Sequence, residues 1–274
     1  MTGVAEKPKE GLLEKLKRKK RWAIKRAGKK VIYGLANFMA KQSLVETTPF
    51  VPHQQFKELK QFQDNWRAIA GEAREVLKFR DAIPGFEEVS QDQHRIAKDK
   101  QWKTFILFGF GQKMEKNAVM APKTTKMLES VPNLQTAWFS ILAPGYHIPA
   151  HTGVTKGILR AHLGVIIPKN FEKCRIRVGE EIRPWGEGSL FVIDDTYNHE
   201  VWNETDEERV ILLFDFDRPM KLGGRLANKL LLSVMKLTAF YQEPKKNMEN
   251  FEERFEAATR RANENLEKMS DQGQ

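Results

Sequence analysis

A chain of 274 residues, 41% hydrophobic, 10% aromatic and 30% charged, has the composition of a folded protein with a sizeable core, which excludes a disordered or fibrous chain. Its formal net charge of +10 sits in residues 1–41, where 13 Lys or Arg meet only Glu6, Glu10 and Glu14; the other 233 residues hold 33 basic and 33 acidic side chains. That neutral body excludes a domain built to neutralise phosphates, so no nucleic-acid partner is expected, and the single cysteine, Cys174, excludes an internal disulfide framework.

The N-terminus lacks the apolar stretch and cleavage site of a secretory signal, and no run of about 18 apolar residues occurs, so a cytoplasmic address is expected. Residues 1–45 form a basic segment. Leu13, Leu16, Ala23, Ala27, Val31, Leu35 and Phe38 make an approximately helical stripe, Lys and Arg occupy the other face, and Trp22 and Tyr33 add amphipathic rings. Such a helix can lie on an anionic membrane surface or dock on the protein's own core. Gly34 and the TTPFVP stretch, Thr47 to Pro52, are expected to end it.

Residues 54–79 read as one amphipathic helix on Phe56, Leu59, Phe62, Trp66, Ile69, Ala73 and Leu77. Residues 80–100 read as a polar surface loop. Short extended runs follow at Trp102 to Phe110, Thr136 to Leu142, His147 to His151, Ala161 to Ile167, Cys174 to Val178, Ser189 to Ile193, His199 to Trp202 and Arg209 to Phe216. Eight strands at this spacing, with a helix only at Pro122 to Ser130, predict a mainly β jelly roll or barrel. After Pro219 the pattern returns to helix on Leu226, Leu230, Val234, Leu237 and Tyr241, with Lys229 and Lys236 making it amphipathic, then a charged segment from Asn247 to Met269. The division expected is a basic segment 1–45, a core domain 46–219 and a helical extension 220–274.

Among the six histidines, His53 and His94 lie in polar contexts, and His147, His151, His162 and His199 fall on strands. His151-Thr152-Gly153, with His199 48 positions later, reads as a non-haem iron site with two histidines and no carboxylate, because the carboxylate of such sites follows the first His by two residues. Arg209 opens the apolar strand RVILLFDF, where a buried guanidinium needs an anionic partner that a dicarboxylate co-substrate would supply.

The runs SILAPGYHIPAHTGVTKGILRAHLGVIIP and EEIRPWGEGSLFVIDDTYNHEVWNETDEERVILLFDFDRP, with QWKTF at 101 and NAVMAPKT at 117, resemble the aspartyl/asparaginyl β-hydroxylase family of Fe(II)- and 2-oxoglutarate-dependent dioxygenases over about residues 100–219. The resemblance implies a double-stranded β-helix core with helices at both ends. It implies iron ligation by His151 and His199, with Gly153 matching a glycine that several members carry, and 2-oxoglutarate binding by Ser140, Arg160, His162 and Arg209, with Trp102 lining the same pocket. O2 is the other co-substrate implied.

Ile158 stands where the peptide hydroxylases of the family have a second arginine for the substrate acid, and an anionic substrate would be desolvated there without a partner. TTPFVPHQQF, DNWRAI and RPMKLGGRLANKLLLSV are similar to bacterial members acting on acyl chains of lipid A or ornithine lipids. The expectation is therefore a hydroxylase of a membrane-lipid acyl chain, peripheral on the inner face of a bacterial cytoplasmic membrane. Peptidyl Asp/Asn β-hydroxylation is the alternative, followed by a non-catalytic membrane adaptor.

Overall fold

A computed structural model describes residues 30–90 and 94–271. Helix α1, residues 30–42, runs through Gly34 without a break, because one glycine costs a helix only about 1 kcal/mol. It ends at Ser43, whose hydroxyl bonds the Val45 carbonyl at 2.7 Å. Leu13, Leu16, Trp22, Ala23 and Ala27 lie outside the described residues.

The helix expected over 54–79 is interrupted. Two single 3-10 turns, His53–Gln55 and Lys57–Leu59, lead into α2 (Lys60–Asp64) and then α3 (Trp66–Leu77). The break falls at Asn65, whose side-chain amide donates to the Gln61 carbonyl at 2.9 Å and competes with the helical ladder. The segment 80–100 is a correction to the sequence reading. It carries a 3-10 turn, Arg80–Ala82, and α4 (Phe86–Val89), and it buries Ile83, Val89, Ile96 and Ala97 instead of lying on the surface.

The described residues form eleven strands, β1 (Phe50–Val51), β2 (Trp102–Gly109), β3 (Gln112–Lys113), β4 (Leu134–Leu142), β5 (His147–His151), β6 (Ile158–Ile166), β7 (Cys174–Val178), β8 (Glu181–Pro184), β9 (Leu190–Ile193), β10 (His199–Asn203) and β11 (Arg209–Asp217). The eight expected strands are all present. The two-residue β1 and β3 are too short for a periodic signal, and β8 is exposed along its whole length, so no apolar alternation marks it. Helices α5 (Glu115–Ala118) and α6 (Pro122–Glu129) separate β3 from β4, and α7 (Leu222–Met235) and α8 (Ala239–Asp271) close the chain. None of the described helices is long and apolar enough to cross a membrane.

All pairings are antiparallel. They make a seven-stranded sheet, β1-β9-β6-β11-β4-β2-β3, and a four-stranded sheet, β5-β10-β7-β8. One core lies between the large sheet and the helices, with Phe62, Ile69, Phe139, Leu163, Leu212 and Phe214 among its members. The other lies between the two sheets, where Ile148, Ile176 and Val201 of the small sheet meet Trp102, Ile193 and Ile211 of the large one. This two-sheet sandwich is the jelly-roll architecture.

Candidate active site

Strand alternation delivers the polar side chains to the inside of the sandwich. On β11, Val210, Leu212, Phe214 and Phe216 enter the helix-side core, which turns Arg209, Ile211, Leu213 and Asp215 inward. By the same parity Leu159, Ala161 and Leu163 of β6 go outward and Arg160 and His162 inward. On β4, Ala137, Phe139 and Ile141 go outward and Thr136, Trp138 and Ser140 inward. Register then sets Arg160 opposite Asp215 and His162 opposite Leu213, and Ser140 opposite Thr104 of β2.

The small sheet contributes the histidine pair. His151 at the end of β5 lies directly opposite His199 at the start of β10, with ring centroids 4.1 Å apart. His151 Nδ1 donates to the Pro149 carbonyl at 2.8 Å and His199 Nδ1 to the Tyr197 carbonyl at 2.9 Å. A carbonyl only accepts, so each proton sits on Nδ1 and the Nε2 lone pair is left for a ligand. Burial lowers both pKa values, that of His199 to about 3 with the charge of His151 adding to the effect. Both rings are neutral at pH 7, as metal ligation requires. Among the described residues no group of three or more His, Cys, Asp or Glu is placed to hold a metal ion, so two imidazoles are what the site offers a cation.

Gly153 lies beyond β5, and its missing side chain leaves a space that another residue fills. A Cβ there would collide with the Asp195 carboxyl, and Gly153 N–H donates to the Asp195 carbonyl at 2.7 Å. The Asp195 carboxyl, supplied by the turn before His199, occupies the volume of the absent side chain. Burial raises its pKa to about 6 against the opposing charge of Arg160, whose guanidinium is 3.6 Å away.

The two inward arginines differ. Arg160 grips Asp215 through Nε–Oδ1 at 2.7 Å and Nη2–Oδ2 at 3.0 Å, and Thr136 donates to the same carboxylate at 2.7 Å. Burial works against the Arg160 charge, but Asp215 and Asp195 outweigh it and raise its pKa. Arg209 is 1% exposed, pairs with no carboxylate among the described residues, and stacks on Trp185 at 4.9 Å. Burial pushes its pKa down to about 10. Arg209 Nε, both ring nitrogens of His162, Trp185 Nε1 and Thr104 Oγ1 are buried without hydrogen-bond partners. Trp102 Nε1 donates to Ser140 Oγ at 2.9 Å, leaving the hydroxyl proton of Ser140 free. So many orphaned donors in one interior mark the seat of a polar ligand.

A cavity of about 270 Å³ opens from this interior. His151, His199, Arg160 and Asp195 line it, and Phe86, Ile96, Phe108, Ile158, Met235 and Met248 supply apolar walls. Its walls thus include the segment 80–100 and both C-terminal helices. Trp102 lines it; Ser140, His162 and Arg209 lie behind, outside its lining. Trp185, Asp195 and Asp215 are site residues that sequence reasoning missed. The signals were present: a glycine gap that something must fill, and an acid near the end of an apolar strand.

The architecture is a jelly roll, and residues 63–219 match the family described as Aspartyl/Asparaginyl beta-hydroxylase. The chain belongs to that family, which is one of hydroxylases. It is 40% identical over 197 residues to the ornithine lipid ester-linked acyl 2-hydroxylase of Rhizobium tropici, covering 72% of this chain and 70% of that protein. It is 33% identical over 166 residues to the aspartyl/asparaginyl beta-hydroxylase of Homo sapiens, covering 59% of this chain but only 21% of that protein. Among solved structures, the cupin domain of Schizosaccharomyces pombe Cnp3 aligns at 13% identity over 48% of this chain and 71% of that chain, with a TM-score of 0.32. That likeness is too slight to carry weight, and the fold rests on its own strands.

Proposed function

We propose that the protein is an Fe(II)- and 2-oxoglutarate-dependent dioxygenase that hydroxylates an acyl chain of a membrane lipid, working at the inner face of the cytoplasmic membrane. The observation that carries this reading is the cavity, which joins the histidine pair to walls of Phe86, Ile96, Phe108, Ile158 and Met248. An acyl chain matches such walls at about 0.8 kcal/mol per buried CH2. The Rhizobium tropici relative, named for hydroxylating an ester-linked acyl chain, supports the same substrate class.

His151 and His199 would hold iron through Nε2, with Nδ1 of each ring already tied to a carbonyl. Iron(II) in such a site supplies the oxidative decarboxylation of 2-oxoglutarate by O2 to succinate and CO2, coupled to insertion of oxygen into a C–H bond. The chain's own residues supply binding and orientation. Arg209 is the uncompensated cation that would take the distal carboxylate. His162, Ser140 and Trp185 offer hydrogen bonds beside it, and Trp102 holds Ser140 in place. Arg160, its charge met by Asp215, can give a remaining N–H to an acceptor but does not need an anion. The Asp195 carboxyl fills the volume beside the histidines and presents a group that accepts from water or, protonated, donates.

Peptidyl Asp/Asn β-hydroxylation remains the second reading because Arg95 also lines the cavity and could meet a substrate carboxylate. Ile158 in the same wall opposes it. A non-catalytic adaptor would leave Arg209 buried without purpose. The test supplies purified protein with Fe(II), 2-oxoglutarate and O2. Total lipid extract should yield succinate and acyl chains carrying one extra oxygen. No turnover on any lipid, with turnover on an Asp-containing peptide, would reverse the ranking.

A further inference from the structure

We infer that α7, with the exposed flank of α1, is a docking face for an anionic lipid bilayer, and that the groove between the two helices is the path by which an acyl chain enters the cavity. Helix α7 is apolar on two sides. Gly224 and Asn228 are buried against the body, and Leu231, Leu232 and Met235 are half-buried. The other side carries Leu222, Leu226, Leu230 and Val234, exposed by 67%, 58%, 68% and 53%, with Leu237 beyond them at 84%. Four-residue spacing sets the first four in one stripe. Val31, Ile32 and Tyr33 of α1 are equally bare, at 69%, 58% and 70%. An apolar surface of this extent marks an interaction site.

Charge selects the occupant. No Asp or Glu occurs between Glu14 and Glu46 or between Asp217 and Glu243. Arg225, Lys229 and Lys236 flank the stripe, exposed, and pair with no carboxylate of the described residues. Leucines edged by cations, with acids excluded, fit the headgroup and acyl boundary of an anionic bilayer. A second copy of the chain would bring the same cations against these with no acid to meet them, and like charges in contact disfavour that pairing.

The groove ties the face to the site. A space of about 310 Å³ lies between the helices, lined by Ile32, Leu35, Met39, Val154, Leu231 and Met235. Val154, Thr155 and Met235 also line the cavity that holds His151 and His199, so the two spaces abut. An acyl chain leaving the bilayer beside α7 stays between apolar walls until it reaches the histidines. This entry path rests on the lipid reading above, whereas the docking face does not.

The test uses the full chain with Leu230→Cys carrying a spin label, Cys174 being buried and unreactive, bound to mixed phosphatidylcholine and phosphatidylglycerol vesicles. The label should gain collisions with O2 and lose them with a water-soluble nickel chelate, while a label at Glu181→Cys stays in water. A label at 230 that remains equally open to the chelate on vesicle-bound protein overturns the proposal. Leu226→Asp with Leu230→Asp should cut partition into these vesicles at least about tenfold with unchanged melting temperature, since neither side chain is buried. Unchanged partition overturns the docking face, and a dimer dissolved by the same variant without loss of partition overturns it in favour of a contact between copies. Turnover on detergent-dispersed lipid should survive in the double variant. Leu230→Cys protein that inserts its label, when both it and the wild type turn over no lipid, would defeat the enzymatic reading while leaving the docking face intact.

Discussion

At the start of β11, Arg209 is buried and pairs with no carboxylate among the described residues. Near the end of the same strand, Asp215 clasps Arg160 of the neighbouring β6 and also takes a hydrogen bond from Thr136. Both guanidiniums lie inside the sandwich, and sequence reasoning gave them the same task of holding a dicarboxylate. Their surroundings differ. A buried charge whose partner is supplied by the fold belongs to the scaffold, and one whose partner is missing belongs to a ligand.

The largest effect expected from this contrast is at Arg209. A pKa pushed down to about 10 corresponds to roughly 3 kcal/mol of destabilisation at neutral pH. The cost is fully present below that pKa and is relieved only in strong alkali. Arg209→Met should therefore raise the melting temperature of the co-substrate-free protein by several degrees, while weakening 2-oxoglutarate binding by about a thousandfold, near 4 kcal/mol. Calorimetry reads both. A lower melting temperature with unchanged binding would remove the distinction between the two arginines.

Arg160→Met should do the reverse, destabilising by about 3 to 4 kcal/mol because it strands the Asp215 carboxylate in the core. Chemical denaturation checks this, and Arg160→Met with Asp215→Leu should recover most of the loss. Full destabilisation in the double variant would mean that the pair does more than neutralise itself.

Asp195 gives a pH signature. Burial raises its folded pKa to about 6, above the ordinary carboxylate value of 3.8. The protonated carboxyl is thus favoured by folding, and the stability it contributes is fully present below pH 4 and lost as pH rises through 6. Asp195→Asn should flatten the stability profile of the metal-free protein across that window, by up to about 3 kcal/mol relative to wild type. Parallel profiles for the two proteins would show that the carboxyl is already ionised without cost.

Much of this architecture is legible in the amino-acid order, for a physical reason. A strand buried on both sides, such as β11, must be apolar throughout, so Arg209 and the site-facing parity of Arg160 and His162 stand out against it. The segment 80–100 was illegible because Phe86, Val89 and Ile96 serve a cavity wall, and a wall imposes no helical or strand period. Asp195 and Asp215 were overlooked as acids in a turn and at a strand end. The absent side chain of Gly153 is visible in the sequence, but only three-dimensional proximity shows that a residue 42 positions later fills its place. The N-terminal stripe was readable as amphipathic. On α7 the same kind of stripe turns out to face outward, which periodicity cannot distinguish from a stripe facing a core.

The smallest effect concerns Ser140, between the two arginine environments. Its hydroxyl accepts from Trp102 Nε1 at 2.9 Å and, with that lone pair engaged, has its own proton to give. Ser140→Ala removes a donor to the co-substrate and also orphans a buried indole N–H, each worth about 1 kcal/mol. The two losses separate by measurement. The stability of the co-substrate-free protein should fall by about 1 kcal/mol, and under the proposed function the KM for 2-oxoglutarate should rise about fivefold with little change in kcat, as for a serine that binds and does not react. Ser140→Ala with Trp102→Phe removes the orphaned indole while leaving the missing donor, so it should restore stability and not KM. If KM recovered together with stability, Ser140 would act only as a support for Trp102, and the co-substrate seat would rest on Arg209 and His162 alone.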